Sequence, residues 1–113
     1  MKPWLMRSLI LRYMRDAPSF ERREMADEDV VGCYGDDAGT VTVFTTESIT
    51  CTRDGERVRV PWTEITGCAR PDKRTARALT LHTTRGDVAV PMRSTRDVFC
   101  LLGLVFALAR STA

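Results

Sequence analysis

Few side chains in this 113-residue sequence could carry out catalytic chemistry. His82 is the only histidine, and nucleophilic catalysis needs a base and an orienting group next to the nucleophile. The alternation of the surrounding residues places His82 on an exposed strand face among threonines. The sequence also lacks both common glycine-rich phosphate-binding patterns. We therefore predict that this protein is not an enzyme and binds no cofactor.

The cysteines and acidic residues do not form a metal-binding pattern. The four cysteines lie far apart in the sequence, at Cys33, Cys51, Cys68 and Cys100. Without a Cys-x-x-Cys pair, and with one histidine in the chain, we expect no zinc site. The acidic run 27–29 lacks the spacing of a calcium-binding loop. We interpret the thiols as small core side chains of a cytoplasmic protein.

Charged residues are the candidate contacts for a partner. The candidate cations follow a predicted hairpin and occupy the next loop, at Arg57, Arg59, Arg70, Lys73, Arg74 and Arg77. Asp36 and Asp37, in the turn 35–39, are the candidate acids, together with the run 27–29. Such charges favour a protein partner of complementary charge. Because acids are interspersed among the cations, an ordinary charged sheet face is the alternative interpretation.

Nucleic acid is not an expected partner. The formal net charge is only +2, which gives little general attraction to a polyanion. Binding of single strands uses aromatic platforms, and the basic region contains only Trp62, which we expect in the core.

Most of the chain is predicted to form short strands. Alternating apolar residues and turn-forming residues predict seven of them, over 30–35, 40–46, 49–53, 57–60, 64–69, 78–84 and 87–92. Asp54-Gly55 predicts a tight hairpin turn. Pro61 ends the strand after this turn, and Trp62 and Ile65 follow at a spacing that returns both side chains to the core. Short connections predict an antiparallel meander.

Two helices are predicted to flank these strands. Residues 4–15 form an amphipathic helix, which either covers the core or lies on a membrane with Arg7, Arg12 and Arg15 at the headgroups. A polar connector follows at 17–29. The second helix spans 95–110, and no charged residue occurs in 98–109. Because this helix is apolar nearly all round, it must contact the first helix or a second chain, which would make a homodimer.

This order of elements resembles the pleckstrin-homology-like superfold, in particular its bacterial and GRAM-type members. The motifs that carry the resemblance are Val43-Phe44-Thr45-Thr46-Glu47-Ser48-Ile49, Val60-Pro61-Trp62-Thr63-Glu64-Ile65 and Leu79-Thr80-Leu81-His82-Thr83-Thr84-Arg85-Gly86. The resemblance implies an α+β fold, with seven antiparallel strands in a barrel or sandwich and a C-terminal helix that caps it. It covers residues 30–110, so we divide the chain into an N-terminal helix and connector (1–29) and a pleckstrin-homology-like domain (30–113).

The resemblance also implies a binding module, and the sequence leaves two functions open. The first is a protein-binding module, for example a bacterial immunity protein that neutralises a cognate toxin. The second is a peripheral lipid-binding module that uses the helix 4–15. Family members that bind lipid headgroups use basic residues near the first strand pair, where this chain has the acidic turn 35–39. We therefore do not expect phosphoinositide binding at that position.

Overall fold

Two helices and eight strands form the fold in the computed structural model, which describes residues 1–23 and 29–112. The helices are α1 (Pro3–Met14) and α2 (Thr95–Thr112). The strands are β1 (Phe20–Arg22), β2 (Val30–Gly35), β3 (Val41–Thr45), β4 (Ser48–Arg53), β5 (Glu56–Pro61), β6 (Ile65–Cys68), β7 (Ala78–Thr83) and β8 (Gly86–Pro91). The α+β class and both helices are confirmed.

The strands form two antiparallel sheets in meander order. The first contains β1-β2-β3-β4-β5 and the second β6-β7-β8. The predicted count of seven strands is wrong, because Phe20–Arg22, within the predicted polar connector, pairs with β2. Among the described residues, the two sheets do not close into a barrel. Asp27 and Glu28 of the predicted acidic run lie outside the described residues.

The predicted hairpin and corner between the sheets are confirmed. Asp54 and Gly55 have φ angles of 50° and 81°, the left-handed conformation that both central residues of a type I′ turn require. On β5, Val60 is buried while Arg57 and Arg59 lie exposed on the opposite face. Beyond Pro61 the chain forms one 3₁₀ turn, Trp62–Glu64, and enters the second sheet as β6.

One hydrophobic core lies between the sheets and the helices. Its fully buried members include Phe44 and Ile49 of the first sheet, Leu79 and Leu81 of the second, and Leu101 of α2. Met6, Ile10 and Met14, on one face of α1, belong to the same core. The helix therefore covers the core, as the first alternative for residues 4–15 predicted. The side chains of Met6, Ile10 and Met14 are therefore not available to a membrane.

The two helices pack directly against each other. Tyr13 lies over Gly103, and the start of α1 faces the end of α2, so the helices are antiparallel. A Cβ atom at position 103 would lie 2.9 Å from Cδ1 of Tyr13, so this close approach depends on glycine. Much of the second apolar face of α2 is thus covered by α1, although Phe106 stays 51% exposed.

Candidate functional site

An apolar groove of about 570 Å³ lies where the corner between β5 and β6 meets both helices. Four separate segments line it: the start of α1, the turn between β3 and β4, the corner itself and the last part of α2. Its apolar lining includes Met1, Met6, Pro61, Trp62, Ile65, Val105, Leu108 and Ala109. This volume and this mostly apolar lining are typical of ligand-binding sites.

Trp62 is held rigidly in the wall of this groove. Its indole Nε1–H donates to the carbonyl oxygen of Thr45 at 2.8 Å, and its backbone N–H donates to the carbonyl oxygen of Glu47 at 3.0 Å. The ring lies against Phe44, with 6.3 Å between ring centroids. Because both polar groups of Trp62 are satisfied, the indole offers a fixed apolar surface to whatever enters the groove.

Polar and charged groups form the rim. Arg59 and Glu47 line the groove with a guanidinium-to-carboxylate distance of 3.8 Å, and both side chains are largely exposed. Thr46, on the same turn, has a buried hydroxyl with no hydrogen-bond partner among the described residues. An apolar floor with charged groups at its edge is the usual arrangement of a protein-binding surface.

The groove also runs along an unpaired strand edge. β6 is an outer strand of its sheet and pairs with β7 alone among the described strands. Ile65, Thr66 and Gly67 of β6 line the groove. Backbone N–H and C=O groups on such an edge are free to pair with an extended segment of another chain.

The predicted cations lie on two different elements. Arg57 and Arg59 share the outer face of β5, but only Arg59 reaches the groove. The others lie in the β6–β7 loop at Arg70, Lys73, Arg74 and Arg77. The first group therefore belongs to the five-stranded sheet and the second to a loop of the three-stranded sheet.

Several of the candidate residues have structural roles. In the β6–β7 loop, Asp72 accepts hydrogen bonds from the backbone of Arg74 and Thr75, and these bonds hold the pKa of its carboxyl below the ordinary value. Arg77 donates to the hydroxyl of Thr95 at 2.5 Å and so links this loop to the start of α2. Arg70 and Lys73 are exposed and make no such contact within the described ranges.

The two predicted acidic contacts are also occupied within the molecule. Asp36 accepts hydrogen bonds from the backbone N–H groups of Ala38 and Thr40, which closes the β2–β3 turn. Asp37 forms an ion pair with Arg93 at 2.8 Å. Both carboxylates therefore stabilise the end of the first sheet in the free protein.

The imidazole of His82 shares no hydrogen bond with a nucleophile among the described residues. His82 Nδ1 lies 2.8 Å from Oδ1 of Asp87, and no hydroxyl or thiol in the described chain bonds to this imidazole. Burial raises the pKa of the thiols of Cys51, Cys68 and Cys100, which makes them weaker nucleophiles at neutral pH. In residues 1–23 and 29–112, no group of three or more His, Cys, Asp or Glu side chains could hold a metal ion.

Two residues that line the groove, Trp62 and Ile65, could be predicted from the sequence as apolar anchors, but not as part of a binding site. The spacing after Pro61 predicts that Trp62 and Ile65 return to the core, and both line the groove together with Val105 and Leu108 of α2. The sequence predicts them only as core residues, because the groove forms from four segments that are distant in the sequence.

Neither α1 nor α2, as far as the structure describes them, is long and apolar enough to cross a membrane. No family model, curated protein or solved structure matches the chain.

Proposed function

We propose that this protein is a non-catalytic protein-binding module of pleckstrin-homology-like fold, whose groove receives an extended apolar segment of a partner protein. The observation that carries the proposal is the position of the groove, between the unpaired edge of β6 and the apolar end of α2. The order of β2 to β8 followed by α2 supports the proposed superfold.

An extended segment suits the groove in two ways. Its backbone pairs with the edge Ile65–Cys68, which provides affinity independent of sequence. An apolar side chain then enters the groove against Trp62 and Leu108. Arg59 and Glu47 at the rim select charged residues on either side of it, because opposite charges attract across a protein interface.

Selection from a displayed random-peptide library tests this function. We expect selected peptides to share an apolar residue, and we expect Thr63→Arg to abolish their binding, because the exposed Thr63 lines the groove. Thr52→Arg is the matched control, since Thr52 lies on β4 outside the groove. Peptides that bind all three proteins equally would contradict the proposal.

Within this class we propose an immunity protein, which binds a cognate toxin and blocks it. A chain of 113 residues with a binding groove and charged rim groups suits this role, because occlusion requires only tight binding. Identification of the proteins that remain bound to the tagged chain in its source cell tests the role. A bound toxin supports it, and the absence of any bound protein argues against it.

A further inference from the structure

The outer face of α1, opposite its buried face, is apolar at one end and cationic at the other. Trp4 is 65% exposed and Leu5 is 37% exposed, although tryptophan is usually well buried in soluble proteins. Ser8, Arg12 and Arg15 are exposed farther along the helix, on the same side as Trp4 at 100° per residue. Packing against the core leaves all five of these side chains accessible.

A cleft lies beside the cationic end of this face. It has a volume of about 530 Å³, between α1 and β1, and its lining consists of Ser8, Leu11, Arg12, Arg15, Phe20 and Arg22. Among the described residues that line the cleft, three are arginines and none is acidic. The planar guanidinium fork matches the oxygens of phosphate and carboxylate groups, so the cleft is suited to an anion.

The net charge of residues 1–15 also favours an anionic partner. Residues 1–15 contain Lys2, Arg7, Arg12 and Arg15 and no acidic residue, and the first acid is Asp16. A cationic surface with an exposed tryptophan is the combination that binds at the boundary between lipid headgroups and acyl chains.

We propose that the outer face of α1 and the cleft beside it dock the protein on an anionic membrane surface. The helix lies parallel to the bilayer, Trp4 and Leu5 enter the headgroup boundary, and Arg12 and Arg15 bind headgroup phosphates. This docking leaves the core intact, because the buried face of α1 stays where it is. It also leaves the groove beside β6 as a separate site.

A bilayer would contact both the apolar end and the cationic end of the outer face of α1, whereas a free anion would contact only the cationic end. Trp4 precedes Arg15 by 11 residues, which is about 16 Å along a helix. A soluble phosphate in the cleft would therefore leave Trp4 and Leu5 exposed to water.

Vesicle sedimentation tests the proposal. We expect binding to phosphatidylcholine vesicles that contain about one-third phosphatidylserine and no binding to phosphatidylcholine alone. The double variant Arg12→Gln, Arg15→Gln should bind roughly 30-fold more weakly, because each cation near an anionic surface contributes about fivefold to the affinity. Trp4→Ser should weaken it about tenfold through lost apolar contact. The control, Arg57→Gln with Arg70→Gln, removes two exposed cations elsewhere and should bind like the wild type.

Three results would overturn the proposal. The first is equal binding to neutral and anionic vesicles, or to neither. The second is an equal loss in the control and in the Arg12 and Arg15 variant, which would indicate an effect of net charge alone. The third comes from titration with inorganic phosphate: shifts of the Arg12 and Arg15 resonances, without vesicle binding, would assign the cleft to a soluble anion.

Discussion

The hydroxyl of Tyr34 donates a hydrogen bond to the carboxylate of Asp97, and both side chains are buried. The same hydroxyl accepts the backbone N–H of Arg93 at 2.7 Å. Tyr34 belongs to β2 and Asp97 to the first turn of α2, where the helix dipole favours a negative charge. This contact connects the first sheet to the helix that covers it.

We expect Tyr34→Phe to lower the free energy of unfolding by about 3 kcal/mol, because a buried carboxylate loses its donor. The other oxygen of Asp97 has no partner in the described chain, so it offers no substitute. Urea denaturation measures the change. Tyr13→Phe is the control, since its hydroxyl makes no hydrogen bond within the described ranges, and it should cost no more than about 0.5 kcal/mol. Equal losses in the two variants would refute the role of the Asp97 contact.

The same contact predicts a dependence on alkaline pH. Burial, and then the hydrogen bond to Asp97, raise the pKa of Tyr34 above its ordinary value. Tyrosine in the unfolded chain loses its proton near pH ~10, while buried Tyr34 keeps it, so the stabilisation is complete below that pH and is lost as the pH rises. The advantage of the wild type over Tyr34→Phe should therefore shrink by about 1.4 kcal/mol per pH unit above pH ~10. An advantage that stays constant with pH would contradict this account.

The contact between Tyr13 and Gly103 gives a prediction about the helix pair. Glycine to alanine inside a helix usually stabilises it by about 1 kcal/mol, but a Cβ atom at Gly103 would lie 2.9 Å from the Tyr13 ring. We expect Gly103→Ala to destabilise the protein by about 1 kcal/mol. In a Tyr13→Ala background the same change should become stabilising. Unfolding of the four proteins completes the cycle, and additive effects would show that the two residues do not interact.

Variants of Asp37 and Arg93 measure how much the contacts of these two residues stabilise the protein. Arg93 donates through Nε to the carbonyl oxygen of Gly35 at 2.7 Å, in addition to its ion pair with Asp37. Because the ion pair is exposed, Asp37→Asn should cost no more than about 0.5 kcal/mol. Arg93→Leu removes both contacts and should cost about 1 kcal/mol. Melting temperatures of the two variants measure the difference. A larger decrease for Asp37→Asn than for Arg93→Leu would contradict the prediction that the contacts of Arg93 contribute more than its ion pair with Asp37 alone.

The strands that the sequence predicts are those marked by a pattern of neighbouring residues, such as a turn or an alternation. The Asp54-Gly55 turn and the alternation of Arg57, Val58, Arg59 and Val60 are properties of neighbouring residues, and the structure confirms both. β1 was missed because Phe20–Arg22 is short and mostly charged. Its strand conformation comes from pairing with β2 and from the edge contact of Phe20 with Phe44.

The candidate site was harder to predict than the fold. Charge alone singled out Asp36 and Asp37, yet both carboxylates are used within the protein. The groove escaped prediction because no single segment contains it: Thr46, Trp62 and Leu108 meet only after folding. At 100° per residue Trp4 shares the polar side of α1 with Ser8, Arg12 and Arg15, and its exposure agrees with that helical period.

Hydrogen exchange at the β6 edge tests whether an extended peptide pairs with Ile65–Cys68. A peptide selected for binding is added to the protein, and exchange of the backbone amides is followed by NMR. We expect slower exchange within Ile65–Cys68, together with shifts at Trp62 and Leu108, and neither change in Thr63→Arg. Protection that maps to another surface, with Ile65–Cys68 unchanged, would contradict the assignment of the groove as the protein-binding site.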